Sequence, residues 1–114
     1  MNKTVSLKKN NDFRRAYSRG RSAATPRLVI YCVKNRSGVT RVGITVSRKF
    51  GNAVRRNRAK RRIREAYRLS QGCIRAGYDL VIVARGRCER AGFEELREDI
   101  SDLAAKLGIR EESI

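Results

Sequence analysis

Arg56, Asn57 and Arg58, followed by Lys60, Arg61, Arg64 and Arg68, form a dense and regularly spaced set of polar side chains. The chemistry such a set can do is to hold phosphates, because a guanidinium presents a planar fork of donors that matches phosphate oxygens. Groups that break bonds are scarce by comparison. The chain has no histidine, and outside its last helical stretch the only acids are Asp12, Glu65, Asp79 and Glu89. A protein nuclease needs a general base or a cluster of metal-holding carboxylates. Asp12 suits a helix start and Glu65 is spaced to pair with Arg61. Serine or cysteine nucleophiles would lack a histidine base, and neither a GxxxxGK loop closed by Ser or Thr nor GxGxxG is present. The residue types therefore point to binding, with any catalysis supplied by a partner.

The element that must position the cations is residues 49–68, KFGNAVRRNRAKRRIREAYR. At 3.6 residues per turn, Arg55, Ala59, Ile63, Ala66 and Tyr67 gather on one side, and Asn57, Lys60, Arg61, Arg64 and Arg68 on the other. Gly51 suits a tight turn and Asn52 an N-cap. A helix shaped only for solvation would carry acids in its first turn and alternate its charges at spacing four, each such choice contributing about 0.3 to 1 kcal/mol. Here Arg55, Arg56 and Arg58 crowd the positive end of the dipole. Arg58/Arg62, Lys60/Arg64 and Arg64/Arg68 repel, relieved only by Arg61 with Glu65. A polyanion opposite this face explains the pattern better than solvation alone.

At 114 residues there is room for one domain, spanning 1–114, and its net charge of +17 predicts salt-sensitive binding to a polyanion without saying whether that is RNA or DNA. The charge is segregated: residues 1–92 hold 25 Lys and Arg against 4 acids, and residues 93–114 hold 3 against 7, so the last segment should face away from the polyanion. Cys32, Cys73 and Cys88 show no CxxC spacing and read as reduced and structural, in a cytoplasmic protein. No apolar run is long enough to span a bilayer, residues 1–13 lack a signal-peptide core, and no strongly apolar basic helix suits a membrane surface.

In chain order, Asn10 or Asn11 can cap a short helix carrying Phe13, Ala16 and Tyr17, with Gly20 at its end. Phe13 and Tyr17 fit ordinary core packing; set among Arg14, Arg15, Arg19 and Arg21, they also fit a platform for splayed bases. After Pro26, residues 28–34 (LVIYCVK) form a strand with Val29, Tyr31 and Val33 on one face and Leu28, Ile30 and Cys32 on the other. The turn residues 35–38 (NRSG) and the strand 41–47 (RVGITVS) then suggest a hairpin, whose small face of Gly43, Thr45 and Ser47 could join Tyr31 in a groove or simply lie exposed. Beyond the basic helix, residues 78–85 (YDLVIVAR) read as a central buried strand, and strand, helix and strand make a crossover that is right-handed by default. Phe93, Leu96, Ile100, Leu103 and Leu107 define a last helix ended by Gly108, with Glu94, Glu95, Glu98, Asp99 and Asp102 on its outer side. Glu95, Asp99 and Asp102 are near enough for a divalent metal, although carboxylates on an outer helical face are usually solvated.

Residues 49–64, KFGNAVRRNRAKRRIR, resemble the signature helix of the bacterial ribonuclease P protein component family, with Arg56, Asn57 and Arg58 as its RNR motif. LKKNNDFRRAY at 7–17, Tyr31, RVGITVSRKFGNAV at 41–54 and YDLVIVAR at 78–85 extend the likeness over nearly the whole chain. The resemblance implies an α+β sandwich, a small mixed sheet packed by helices as in the second domain of ribosomal protein S5, with a left-handed crossover through the basic helix. It implies a subunit of a ribonucleoprotein endonuclease whose RNA is the ribozyme, removing the 5′ leader of precursor tRNA with Mg2+ held mainly by RNA. By the same resemblance Phe13, Tyr17 and Tyr31 line a leader cleft with Ser47, Arg48 and Lys49 nearby, and Arg85 and Arg87 flank the path. Arg56, Asn57, Arg58, Lys60, Arg61, Arg64 and Arg68 face the catalytic RNA. The acidic end, EESI at 111–114, is given no RNA role, and no obligate protein partner or membrane is implied. The competing readings are a structural RNA-binding protein of the ribosome, which would not aid leader cleavage, and a DNA-binding protein using the basic helix in a major groove, for which the cleft aromatics would be superfluous.

Overall fold

The computed structural model describes residues 4–111. The chain runs β1 (Thr4–Ser6), α1 (Asn10–Arg19), β2 (Arg21–Ala24), β3 (Leu28–Lys34), β4 (Thr40–Thr45), α2 (Ala53–Ser70), β5 (Tyr78–Ala84) and α3 (Phe93–Lys106). One sheet has the order β1-β4-β5-β3-β2. The result is an α+β fold, with α1 on one face of a mixed sheet and α2 and α3 on the other.

The continuous apolar run of β5 explains its central place, since such a strand needs cover on both faces and both edges. It lies parallel to β4 and antiparallel to β3. The hairpin expected of residues 28–47 does not form, because β5 lies between its two arms: Asp79 is in register with Val33 on one side and Arg41 on the other. The turn chemistry was read correctly but its consequence was not. Asn35 accepts from the Ser37 N–H (3.1 Å) and donates to the Val39 carbonyl (2.9 Å), which bends the chain without pairing its arms. The short edge strands β1 and β2 went unread, being three and four residues of mixed polarity.

Helix ends follow local chemistry with one exception. Asn52 caps α2 through its side chain on the Arg55 N–H (2.9 Å). Gly108, at φ +73°, follows the Leu107 cap of α3 in the left-handed conformation that favours glycine. Neither Asn10 nor Asn11 caps α1; Lys9 holds that position with no side-chain bond, so both asparagines fall inside the first turn.

The larger core joins Leu28, Ile30, Cys32, Leu80 and Ile82 of the sheet to Ala59, Ile63, Ala66 and Tyr67 of α2 and Leu96, Ile100, Leu103 and Leu107 at α3. Asp99, expected on the outer side of α3, is buried. Its carboxylate accepts from Arg27 Nε (2.7 Å) and Nη2 (3.2 Å), while Arg27 Nη1 reaches Glu95 (2.9 Å), clamping the start of β3 to α3. Glu95 also takes the Gly92 N–H (2.9 Å) at the helix start. These contacts engage Glu95 and Asp99 of the three metal-spaced acids, and among the described residues no cluster of three His, Cys, Asp or Glu could hold a metal. Cys32 and Cys88 are buried, and that burial pushes their thiols up to about 11; Cys73, expected to be structural, is exposed. No helix of the described residues is long and apolar enough to cross a membrane. Of the C-terminal EESI, residues 112–114 lie outside the described residues.

Candidate nucleic-acid interface

Two surfaces meet at one end of the sheet. Because β4 and β5 are parallel, with Thr45 beside Val83, both leave the sheet at the same end, where the antiparallel β3 begins. Ser47, Arg48 and Lys49 follow β4, the last two in a 3₁₀ turn (Arg48–Phe50), and Arg85 and Arg87 follow β5; all five are exposed. Arg85 Nη1 donates to the Thr25 carbonyl (3.1 Å), which fixes its stem beside the β2–β3 turn.

From that end the sheet face beside α1 runs back only half covered, as an open strip flanked by that helix. Its floor is the face shared by Val29 and Tyr31 of β3, Val83 of β5 and Thr45 of β4, all half-buried. Its wall is α1. The Tyr17 ring meets Tyr31 edge to face at 4.9 Å between centroids, and the Tyr17 hydroxyl lies 3.5 Å from Thr45 Oγ1. Tyr17 is 42 % exposed, so part of its ring reaches solvent. Phe13 is seated differently: a Cβ on Gly43 would come within 2.5 Å of its ring, so the absence of a side chain at Gly43 lets Phe13 lie against β4. Phe13 therefore packs as a partly buried core residue, while Tyr17 keeps part of its ring at the surface.

An ionic relay, buried at its Asp79 end, ties α1 to the sheet. Asp79, fully buried at the start of β5, accepts from Arg41 Nε (2.7 Å) and Nη2 (2.6 Å) and from Asn35 Nδ2 (2.9 Å). Arg41 reaches on to Asp12 of α1 (3.3 Å), and Arg15 of α1 donates to the Lys34 carbonyl (2.8 Å) and lies 3.8 Å from Asp79. Hydrogen bonding to Asp79 raises the Arg41 guanidinium above its ordinary value. Sequence reasoning missed Arg41 and Asp79; the signal was a lone acid and a lone base opening two strands that turned out to be neighbours.

The second surface is the outer side of α2, and its cations divide into two sets. Arg55, expected among the apolar residues, stays exposed and pairs with Glu89 through both its Nε and Nη2. Arg62 Nη1 donates to the Glu89 carbonyl (3.0 Å), Arg56 Nη1 to the Gly51 carbonyl (2.7 Å), and Arg68 Nη2 to Glu65 (2.6 Å). Glu65 therefore takes Arg68, three residues on, where Arg61 was expected. Those hydrogen bonds hold both surface carboxyls, Glu65 and Glu89, below the usual carboxylate range. The second set, Arg58, Lys60, Arg61 and Arg64, has no hydrogen-bond or ion-pair partner among the described residues, nor has the Asn57 side chain. All four acids of residues 1–92 are thus committed to arginines, while the central cations of the helix stay uncommitted.

This arrangement defines a class: a small cationic α+β protein that presents unpaired guanidinium groups beside an open aromatic cleft. Comparison with known proteins gives the family. The Ribonuclease P family model matches residues 1–108. The chain is 46% identical over 109 residues to the ribonuclease P protein component of Clostridioides difficile (strain 630), covering 95% of this chain and 96% of that one. Its fold is similar to the RNase P protein of Staphylococcus aureus, with a TM-score of 0.80 at 31% identity over 94% of this chain and 98% of that one. It is equally similar to the RNase P protein of Thermotoga maritima, with a TM-score of 0.80 at 35% identity, covering 89% and 96%. The chain belongs to the ribonuclease P protein component family, subunits of the endoribonuclease that makes the mature 5′ ends of tRNA.

Proposed function

We propose that the chain binds ribonuclease P RNA through the outer side of α2 and the single-stranded 5′ leader of precursor tRNA in the α1 cleft. The observation that carries this reading is the uncommitted set Arg58, Lys60, Arg61 and Arg64 in a protein whose other α2 arginines all have partners. Asn57, Arg56 and Arg68 flank that set, the last two already oriented by their own contacts. In the cleft, Tyr17 and Tyr31 offer stacking faces and Phe13 backs them, while Ser47, Arg48, Lys49, Arg85 and Arg87 receive the leader phosphates at the mouth. The residues do not fit a resident magnesium ion, because Asp12, Glu65, Asp79 and Glu89 already accept from arginines. Mg2+ and the bond-breaking step are assigned to the RNA. Two buried thiols suit a reducing compartment, and we assign the chain to the cytoplasm.

The test is cleavage of a precursor tRNA at low magnesium by a bacterial ribonuclease P RNA, with and without the protein, beside the protein alone. Cleavage restored only when both are present is the expected result, and no restoration or cleavage by protein alone would refute the assignment. The double substitution Arg61→Ala/Arg64→Ala should raise the protein concentration needed by roughly 100-fold and lower the salt slope of binding by about 2.

A further inference from the structure

Beside the cleft, a second concavity runs round the open edge of the sheet. β1 pairs only with residues 40–42 of β4, and after the Leu7 N–H bonds the Val42 carbonyl (2.9 Å) the chain turns onto the α1 face, where Leu7 is buried. β4 continues to Thr45. Backbone groups two residues apart in a strand point to the same edge, so the N–H and C=O of Ile44 point outward with those of Val42. Among the described residues no strand or other backbone group meets them. They open into a groove of about 450 Å3 whose apolar side is Val42, Ile44, Phe13 and Tyr67 and whose rim carries Lys60 and Arg64.

An outward N–H and C=O at a sheet edge are met only by water until a partner pairs with them, and the apolar wall favours a partner that covers it as well. One donor and one acceptor side by side match the edge of a nucleobase, the apolar wall matches its faces, and two uncommitted cations match its phosphate. We propose that this groove takes one unstacked nucleotide of ribonuclease P RNA, its base edge bonded to the Ile44 backbone and its phosphate held by Lys60 and Arg64. The proposal rests on the RNA-binding reading of α2. The outward edge offers one residue, too short for an added protein strand, and the rim cations belong to α2 and not to the mouth of the leader cleft.

Val5 is 41 % exposed and lines the groove, so it can report on the occupant. With Val5 replaced by p-benzoylphenylalanine, the holoenzyme is assembled from this protein, a bacterial ribonuclease P RNA and precursor tRNA, and irradiated with one RNA labelled at a time. The expected result is a covalent link to one or two adjacent nucleotides of ribonuclease P RNA. In parallel, Val5→Glu should weaken binding of that RNA about 10-fold and leave the preference for precursor over mature tRNA unchanged. A link to the precursor, a link to another protein, or no link in a holoenzyme that cleaves precursor would overturn the groove assignment. Failure of the unsubstituted protein to bind ribonuclease P RNA would instead overturn the reading of α2, and this inference with it.

Discussion

Against one face of the sheet, α2 and α3 bury Leu28, Ile30, Leu80 and Ile82 beneath Ile63, Leu96, Ile100 and Leu103; against the other, α1 buries only Leu7, Ala16 and Val81 and leaves Tyr31 and Val83 half covered. The first face is held by apolar area, at about 25 cal/mol per Å2, and needs no particular polar contact. The second joins a smaller apolar cluster, with Phe13 packed against it, to the Asp12–Arg41–Asp79 relay that ties α1 to the sheet. A sparse core with directional pairs leaves the sheet surface open while holding the cleft wall at a defined distance. The closely packed core and the half-covered aromatic face thereby lie on opposite sides of one five-stranded sheet.

Breaking the relay tests this division most directly. Asp79→Ala leaves Arg41 and Asn35 facing an empty acceptor site and should cost about 3 kcal/mol, at the low end for a broken buried pair because Arg41 is partly open to solvent. The loss should be uneven. Amide exchange in α1 should accelerate more than in α2 or α3, and affinity for precursor tRNA should fall more than affinity for ribonuclease P RNA. Uniform acceleration across all three helices would mean that Asp79 serves the whole core and not the cleft.

The two aromatics of α1 sharpen the comparison at smaller magnitude. Tyr17→Ala removes a half-exposed ring and its edge-to-face contact with Tyr31, and should cost about 1 kcal/mol of stability while weakening precursor tRNA binding by about 1 to 3 kcal/mol, with mature tRNA unaffected. Phe13→Ala removes the ring seated on Gly43, so chemical denaturation should detect a loss of roughly 2 kcal/mol along with any change in binding. Equal weakening of precursor and mature tRNA by Tyr17→Ala would remove the leader from this cleft.

How far such a division could be read from the chain depends on the range of the interaction that creates it. The apolar spacing of Ala59, Ile63, Ala66 and Tyr67, the alternation of β3 and the Asn52 cap are local, and each stands where the sequence places it. The pairing of β4 with β5 instead of β3 is set by which strand most needs covering on both edges, a competition across the whole sheet. Choice of ionic partner was the least legible feature. Glu65 could meet Arg61 or Arg68 at nearly equal cost, and Asp99 looked solvent-facing until Arg27, 72 residues away, arrived beside it. In the interface itself the cationic face of α2 was legible from composition and period. Which of its members are free was not, because that depends on carbonyls at Gly51 and Glu89 that only the fold presents.

The smallest expected effect concerns pH, and it distinguishes the committed cations from the free ones. The chain has no histidine, and burial raises the thiols of Cys32 and Cys88 to about 11, so neither thiol ionises near neutrality. Glu89 and Glu65 are the groups to watch, each lowered first by its hydrogen bond from Arg55 or Arg68. A carboxyl depressed in the folded state contributes stability that is present above its unfolded value, about 4.3, and lost as pH falls through the folded one. Thermal midpoints should therefore stay level between about pH 5.5 and 7.5 and decline below about pH 4, with the decline shrinking in high salt because both pairs are at the surface. Glu89→Gln should remove its share of that decline and free Arg55, so that binding of ribonuclease P RNA holds or strengthens slightly while stability falls. If Glu89→Gln weakened RNA binding instead, the pairing of Arg55 would be orienting α2 for its partner, and the separation of committed from free cations along that helix would no longer stand.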